Sequence, residues 1–284
     1  MTDTPDLKLG LIGDNIGRSR TPLLHRLVGR QNDMVVQYDR LIPKDMGADF
    51  DTVFAHCAVR GYRGINVTYP YKERAASKVT VDDPLVRAIG AVNTVLFEPD
   101  GPKGQNTDYT GFMAAYRGVR GDAAPGVCCL IGTGGVGRAL AFALVALKAQ
   151  EIRLVDRDMA KAETLAAELG ALGQGVRVVA MRDAEQAAKG AEGLLNGTPV
   201  GMVGHDGTPL PKAAMAGAGW AFDAVYTPVD TQFLTDAAAT GATILSGYEL
   251  FFYQGVHAWA HFSGLPLDEP ALRAALQTQT EEVA

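Results

Sequence analysis

The stretch Val127 to Gly137, VCCLIGTGGVG, constrains the fold of this chain more than any other. A short apolar run ends in three glycines, Gly132, Gly134 and Gly137, and a second apolar run of helical period follows from Val136 to Ala149. The pattern reads as strand, tight turn and helix. In a dinucleotide-binding turn of this spacing, the first glycine makes the turn and the second lets the backbone approach a pyrophosphate. The third lets the helix pack closely on the strand. Free N–H groups and the positive end of the helix then face the phosphates. Plain glycine-rich turns share the spacing, so the flanking sequence has to arbitrate.

Glu151 to Asp156, EIRLVD, is a second apolar strand. Its last residue is an acid near the expected distance of roughly 20 residues beyond the glycines. Such an acid accepts ribose hydroxyls and repels a 2′-phosphate, which favours NAD over NADP. The other reading of Asp156 is a solvated strand end before the Met159 to Leu169 helix. Arg157 weakens the choice of cofactor, because a guanidinium either holds a 2′-phosphate or stacks on adenine.

A chain of 284 residues is long enough for two domains, each with a substantial core. Its net charge of −6 comes without a basic run, which argues against a nucleic-acid surface. Any small anion must be held by local donors and not by a general positive field. Cys57, Cys128 and Cys129 fit no disulfide frame or metal spacing and read as reduced packing residues of a cytoplasmic protein. No apolar stretch approaches membrane-spanning length, and MTDTPDLK lacks the form of a signal peptide.

Taken in order, Leu7 to Ile12 is a strand closed by Gly13-Asp14-Asn15. Thr21 before Pro22 and LLHRLVGRQ predicts an N-cap and a helix. A strand at 35–41, a helix at 50–59 and a strand at 64–67 extend the alternation, and strands at 91–97 and 104–106 flank the turn Pro99-Asp100-Gly101. A helix starts at Asp108 and leads into the Gly/Ala/Pro-rich link 121–126. Beyond it, strands at 127–131, 151–156, 176–181, 193–196, 220–225 and 242–245 alternate with helices or turns, as a doubly wound sheet requires. Helices at 248–263 and 269–280 close the chain. The expected fold is therefore α/β in two domains: an N-terminal α/β domain, 1–108, to which 246–284 returns, and a Rossmann domain, 109–245.

A nicotinamide cofactor implies an alcohol substrate and a proton acceptor beside it. GINVTYPYK supplies Lys72 just after a strand, and Asn106-Thr107-Asp108 supplies an acid at the domain junction. A lysine in a water-poor cleft has its ammonium form disfavoured and exchanges a proton near neutral pH. Residue type alone also fits two surface charges. His257 and His261, four apart on a helix, lack a third ligand and fit a polar helix face, so no metal is expected. His25 reads as packing or capping within its own helix.

The motifs GLIGDNIGRSRTPLLH, NVTYPYK, GAVNT, NTD, GTGGVG, NGTPVGM, DAVYTP and YELFFYQGV, in this order, resemble the shikimate dehydrogenase family over nearly the whole chain. The resemblance implies a nicotinamide-dependent oxidoreductase acting on a cyclohexane or cyclohexene carboxylate, with Lys72 and Asp108 as the catalytic pair. It implies that Ser19 and Thr21 hold the substrate carboxylate at a helix start, that Thr68, Asn93 and Gln254 match ring hydroxyls, and that Tyr226 adds a donor. The implied cofactor contacts are Gly132, Gly134, Gly135, Val136, Gly137, Asp156, Arg157, Thr198 and Gly247.

Two departures separate the chain from the biosynthetic pattern. Ser-x-Ser-Pro is replaced by Ser19-Arg20-Thr21-Pro22, whose extra methyl narrows the carboxylate pocket, and the usual NADP-type Asn-Arg-Thr or Ser-Arg-Thr is replaced by Asp156-Arg157-Asp158. Both resemble the NAD-dependent quinate/shikimate dehydrogenase branch, which oxidises quinate to 3-dehydroquinate and shikimate to 3-dehydroshikimate. Glu249 and Leu250 stand where the family commonly has Gly and Met. The rival readings are an NADP-dependent biosynthetic shikimate dehydrogenase, a non-catalytic metabolite sensor and a folate-type dehydrogenase of similar plan. The expected partner is the small acid alone, with the protein a monomer or homodimer.

Overall fold

The computed structural model describes residues 5–279. It divides into two units: residues up to Thr107 together with those from Gln254 onward, and Asp108–Tyr253.

The first unit is built on a five-stranded sheet of order β2-β1-β3-β4-β5. β1 (Leu7–Ile12) leads to α1 (Thr21–Gln31), β2 (Val36–Leu41), α2 (Phe50–Val59) and β3 (Gly64–Val67). β1 pairs in parallel with both β2 and β3, which accounts for its almost continuous apolar sequence. The short α3 (Lys72–Ala76) and α4 (Pro84–Ile89) follow, then the antiparallel β4 (Thr94–Glu98) and β5 (Gly101–Gln105). Ile12, Phe50, Val53, Ile65, Val67 and Val95 form the core between α2 and the sheet. Each such side chain contributes about 1.5–3 kcal/mol on burial.

Two local expectations are corrected in this unit, and one helix was not anticipated. Thr21 is the first residue of α1 and not its N-cap; Arg20 occupies the cap position without a side-chain cap bond, and Pro22 lies in the first turn. α4 escapes the periodicity because it is only six residues long, although Asp83 caps it through the N–H groups of Leu85 and Val86 and Gly90 ends it at φ +67°. The hairpin ladder begins at Thr94, not Ala91, and pairs Glu98 with Gly101.

The second unit starts in α5 (Thr107–Arg120) and holds six parallel strands in the order β11-β10-β9-β6-β7-β8. These are β6 (Val127–Ile131), β7 (Glu151–Val155), β8 (Arg177–Met181), β9 (Gly193–Asn196), β10 (Trp220–Asp223) and β11 (Thr243–Leu245). α6 (Gly135–Ala146), α7 (Met159–Ala171), α8 (Ala184–Ala188) and α9 (Gln232–Ala239) connect them. α6 stops short of the predicted Ala149 because the chain turns at Leu147 and Lys148, the latter at φ +61°. Strand order reverses between β6 and β9, and the carboxyl ends flanking such a switch point form the usual ligand crevice of a doubly wound sheet. Cys128 and Cys129 are buried free thiols in β6, and burial pushes the pKa of both up.

α10 (Gly247–Ser263) and α11 (Glu269–Thr278) complete the chain. The unit boundary falls inside α10 at Gln254, eight residues beyond the expected 246. The first half of α10 belongs to the second unit: Tyr226 stacks on Phe251 at 4.9 Å. The end of the predicted last helix, Thr280, lies outside the described residues. No helix among the described residues is long and apolar enough to cross a membrane.

Candidate active site

In the second unit, the glycines of the fingerprint divide into two kinds. Gly132 turns the chain at φ +95°, and its N–H donates to Val155 O at 2.7 Å. A Cβ on Gly137 would collide with the Gly132 carbonyl oxygen, so this position fixes the close approach of α6 to β6. Gly134, at φ −72°, is in a conformation any residue adopts, and a Cβ there would meet nothing within 4 Å. Nothing in the chain requires glycine at 134, whereas a pyrophosphate approaching the backbone would. Gly134 caps α6 without a side-chain bond, and Gly135 and Val136 form the first turn, so the helix start offers N–H groups to an anion. These residues fit a dinucleotide.

Asp156 lies one residue past β7. Its Oδ2 accepts from the Thr133 N–H at 2.7 Å and the Thr133 hydroxyl at 2.8 Å, and its Oδ1 accepts from the Asp158 N–H at 2.9 Å. Burial raises its pKa, but the Asp158 and Thr133 N–H groups, the Thr133 hydroxyl and Lys161 outweigh burial and hold it below the ordinary value. The carboxylate is therefore ionised, with acceptor capacity left on Oδ1. Arg157 is exposed.

Thr198, beyond β9, packs beside the glycine turn: a Cβ on Gly132 would meet its methyl. Both its N–H, at 2.9 Å, and its hydroxyl, at 2.6 Å, donate to Asn196 Oδ1. Asn196 Nδ2 donates to Val200 O and, at 2.9 Å, to Asp223 Oδ1. Asp223 also accepts from the Val225 N–H at 2.9 Å and the Thr231 hydroxyl at 2.7 Å. Burial pushes its pKa up to about 6 against these three donors. Gly247 needs no cofactor to explain it, because a Cβ there would collide with the carbonyls of Asp223 and Val225.

In the first unit, Ser19 and Thr21 stand together at the start of α1. The Ser19 hydroxyl donates to Thr21 Oγ1 at 3.1 Å, and the Thr21 N–H donates to Ser19 Oγ at 3.3 Å. Two adjacent hydroxyls at the N-terminus of an eleven-residue helix suit a carboxylate. Arg20 between them is turned elsewhere, donating to Leu276 O and Gln279 O at the end of α11. Thr68 follows β3, its N–H bonded to Ile12 O at 2.9 Å, and a Cβ on Gly13 would meet its methyl. Lys72, half-buried, opens α3 immediately beyond. Asn93 is buried just before β4, with Oδ1 accepting from the Thr107 N–H at 2.7 Å. Gln254 is half-buried in α10. Asp108, buried in the first turn of α5, belongs to the second unit, as does the half-buried Tyr226.

His25 is fully buried, stacked on Tyr38 at 5.1 Å and edge-on to Phe262. It packs and does not cap. Neither ring nitrogen completes a hydrogen bond; burial pushes its pKa down to about 3, and nearby Asn66 opposes the shift. His257 and His261 have their pKa values lowered, chiefly by burial. Among the described residues, no three His, Cys, Asp or Glu side chains are grouped as metal ligands would be.

Sequence reasoning assigned no role to Thr133, Asn196, Asp223, Asn66, Thr94 or Thr107. All but Thr94 lie inside the motifs GTGGVG, NGTPVGM, DAVYTP, NVTYPYK and NTD, and Thr94 is the last residue of GAVNT. For Asn66, Thr94, Asn196 and Asp223, a polar residue in an otherwise apolar strand was the available signal.

Comparison with known proteins adds independent findings. Residues 11–95 match the model of the shikimate dehydrogenase substrate binding domain, and residues 127–203 match that described as NADP oxidoreductase coenzyme F420-dependent. The chain is similar to a quinate/shikimate dehydrogenase (NAD(+)) of Corynebacterium efficiens, 35% identical over 272 residues, covering 94% of this chain and 96% of the relative. It is equally similar to a shikimate dehydrogenase (NADP(+)) of Halobacterium salinarum, 35% identical over 270 residues, 95% of this chain and 98% of the relative. Among solved structures, quinate dehydrogenase from Corynebacterium glutamicum in complex with NAD superposes with a TM-score of 0.86 at 32% identity, covering 96% of this chain and 99% of the other.

Proposed function

The chain belongs to the shikimate dehydrogenase family, and on that premise we propose that it is an NAD-dependent dehydrogenase that oxidises the C3 alcohol of quinate, shikimate or both. Activity of the shikimate/quinate dehydrogenase type, with a nicotinamide dinucleotide, is common to the relatives of both cofactor classes. The choice of NAD rests on one observation: Asp156 is held as an ionised acceptor at the end of β7 by Thr133 and Asp158. A negative charge there opposes a 2′-phosphate.

When bound, the nicotinamide supplies the hydride acceptor. Ser19 and Thr21 orient the substrate through its carboxylate, and Thr68, Asn93 and Gln254 pair its ring hydroxyls. Tyr226 adds a further donor to the carboxylate. Each ring hydroxyl needs a partner, because a site that buries polar groups rejects a ligand that leaves them unpaired. As the C3 carbon gives up hydride, its hydroxyl proton passes to the Lys72 amine, and Asp108 favours the ammonium that forms. Gly132, Gly134, Gly135, Val136 and Gly137 would hold the pyrophosphate. Asp156 would accept the adenosine ribose hydroxyls, Arg157 would stack on the adenine, and Thr198 and Gly247 would add further cofactor contacts.

The purified protein should reduce NAD in the presence of quinate or shikimate. Lys72→Ala should lower turnover by about 10²–10⁴-fold while NAD affinity stays unchanged. Complete absence of nicotinamide reduction with either acid would favour a metabolite sensor, and an unchanged rate in Lys72→Ala would reject its role.

A further inference from the structure

Asn93 sits at one end of a buried polar layer in the first unit, and the layer decides which end of its carboxamide is available. Its Oδ1 accepts from the Thr107 N–H at 2.7 Å, the Thr107 hydroxyl at 3.1 Å and the Thr94 hydroxyl at 3.1 Å. The first contact is decisive. A backbone N–H only donates, so the atom facing it is the oxygen, and the amide cannot be turned over without setting NH₂ against N–H.

The remaining bonds run in one direction. The Tyr38 hydroxyl donates to Asn66 Oδ1 at 2.8 Å. Asn66 Nδ2 then donates to Asn93 O at 3.2 Å and to Thr94 Oγ1 at 3.1 Å. Thr94 Oγ1 thus accepts from Asn66, and its single proton is donated to Asn93 Oδ1 at 3.1 Å. The Thr94 and Thr107 hydroxyl oxygens lie 3.2 Å apart, both beside the Asn93 oxygen. Asn66, Asn93, Thr94 and Thr107 are all buried, so water does not compete for these bonds. The donors thus converge on the Asn93 oxygen, and its NH₂ group is not spent in the layer.

We propose that Thr94 and Thr107 are positioning residues that lock the Asn93 carboxamide with its oxygen turned into the layer, so that Asn93 meets substrate only as an N–H donor. The group it recognises is then an acceptor, a ring hydroxyl oxygen whose own proton is taken by another partner. This inference rests on the reading of Asn93 as a substrate contact given above.

Steady-state kinetics of the full chain, with quinate or shikimate varied at saturating NAD and NAD varied at saturating acid, test it. Asn93→Asp keeps an oxygen for Thr107 and Thr94 but replaces the donor with an acceptor. Substrate KM should rise about tenfold or more while KM for NAD stays within about twofold. Thr94→Val, which removes the directing hydroxyl at nearly constant shape, should raise substrate KM several-fold, and Thr94→Ser should restore it. A merely structural role would lower thermal stability without that split between the two KM values or that rescue. Unchanged substrate KM in Asn93→Asp or Thr94→Val overturns the proposal. The orientation itself is read without substrate or variants, as a through-hydrogen-bond NMR coupling between the Thr107 amide nitrogen and the Asn93 side-chain carbonyl carbon. Its presence is expected, and its absence overturns the proposal even where the variants fail to fold. A wild-type protein inactive on both acids but showing the coupling would instead remove the reading of Asn93 as a substrate contact.

Discussion

The two units bury their polar groups in different ways, and the difference sets how each responds to acid. The first unit joins Tyr38, Asn66, Asn93, Thr94 and Thr107 in a layer without a charge, beside the unpaired His25. The second unit ties Asn196 and Thr231 to a carboxylate, Asp223, with Thr198 bonded in turn to Asn196. Burial drives both titratable groups toward their neutral forms, His25 down to about 3 and Asp223 up to about 6. Because one is a base and the other an acid, the signs of their linkage are opposite.

The largest effect belongs to His25. Unfolded, it takes up a proton as pH falls below its ordinary 6.5; folded, it resists until about 3. Its contribution to stability is therefore present above 6.5 and is lost as pH falls, by up to about 5 kcal/mol across the window. His25→Phe, which replaces the unpartnered nitrogens with carbon, should flatten the acid side of the stability curve. Denaturant melts at several pH values check this, and an unchanged acid slope would break the comparison. Asp223 acts the other way. Its raised pKa adds stability that is full below about 4 and is lost as pH rises through about 6, a swing of up to about 3 kcal/mol. The stability difference between wild type and Asp223→Asn should widen by that amount on going from pH 7 to pH 4. A flat difference would contradict it. Hydrogen exchange near pH 4.5 should show β1 and α1 losing protection before β6 and β9. The smallest effect sharpens the comparison on the side of function: Asp156→Ser, which removes charge from the second unit only, should shift the NAD-to-NADP ratio of kcat/KM about tenfold toward NADP and leave substrate KM unchanged.

Much of the architecture was legible because apolar patterning and glycine chemistry are local. The run 127–131 and the spacing of Gly132, Gly134 and Gly137 foretold strand, turn and helix, and the structure supplies a separate reason for Gly132 and for Gly137 but none within the chain for Gly134. The parallel sheet followed from apolar strands alternating with helices. What escaped depends on contacts distant in sequence. The boundary falls inside α10, whose first half packs on the second unit through Tyr226 stacking on Phe251, a contact no local pattern encodes. Thr21 reads as an N-cap from Thr-Pro alone, yet its hydroxyl partners Ser19 and α1 begins at Thr21 itself. Asn66 and Thr94 look like interruptions of apolar strands until β3 and β4 pair and set Asn66 opposite Thr94. Asp156 was found by spacing, but Thr133, which holds it, was hidden among the glycines.

We propose that Asp156 makes this member of the family an NAD enzyme. Initial rates of the wild-type protein with NAD and with NADP, each against quinate and shikimate, test it most directly. The account predicts kcat/KM for NAD higher by about tenfold or more with at least one of the two acids. A higher kcat/KM for NADP with both acids would contradict it.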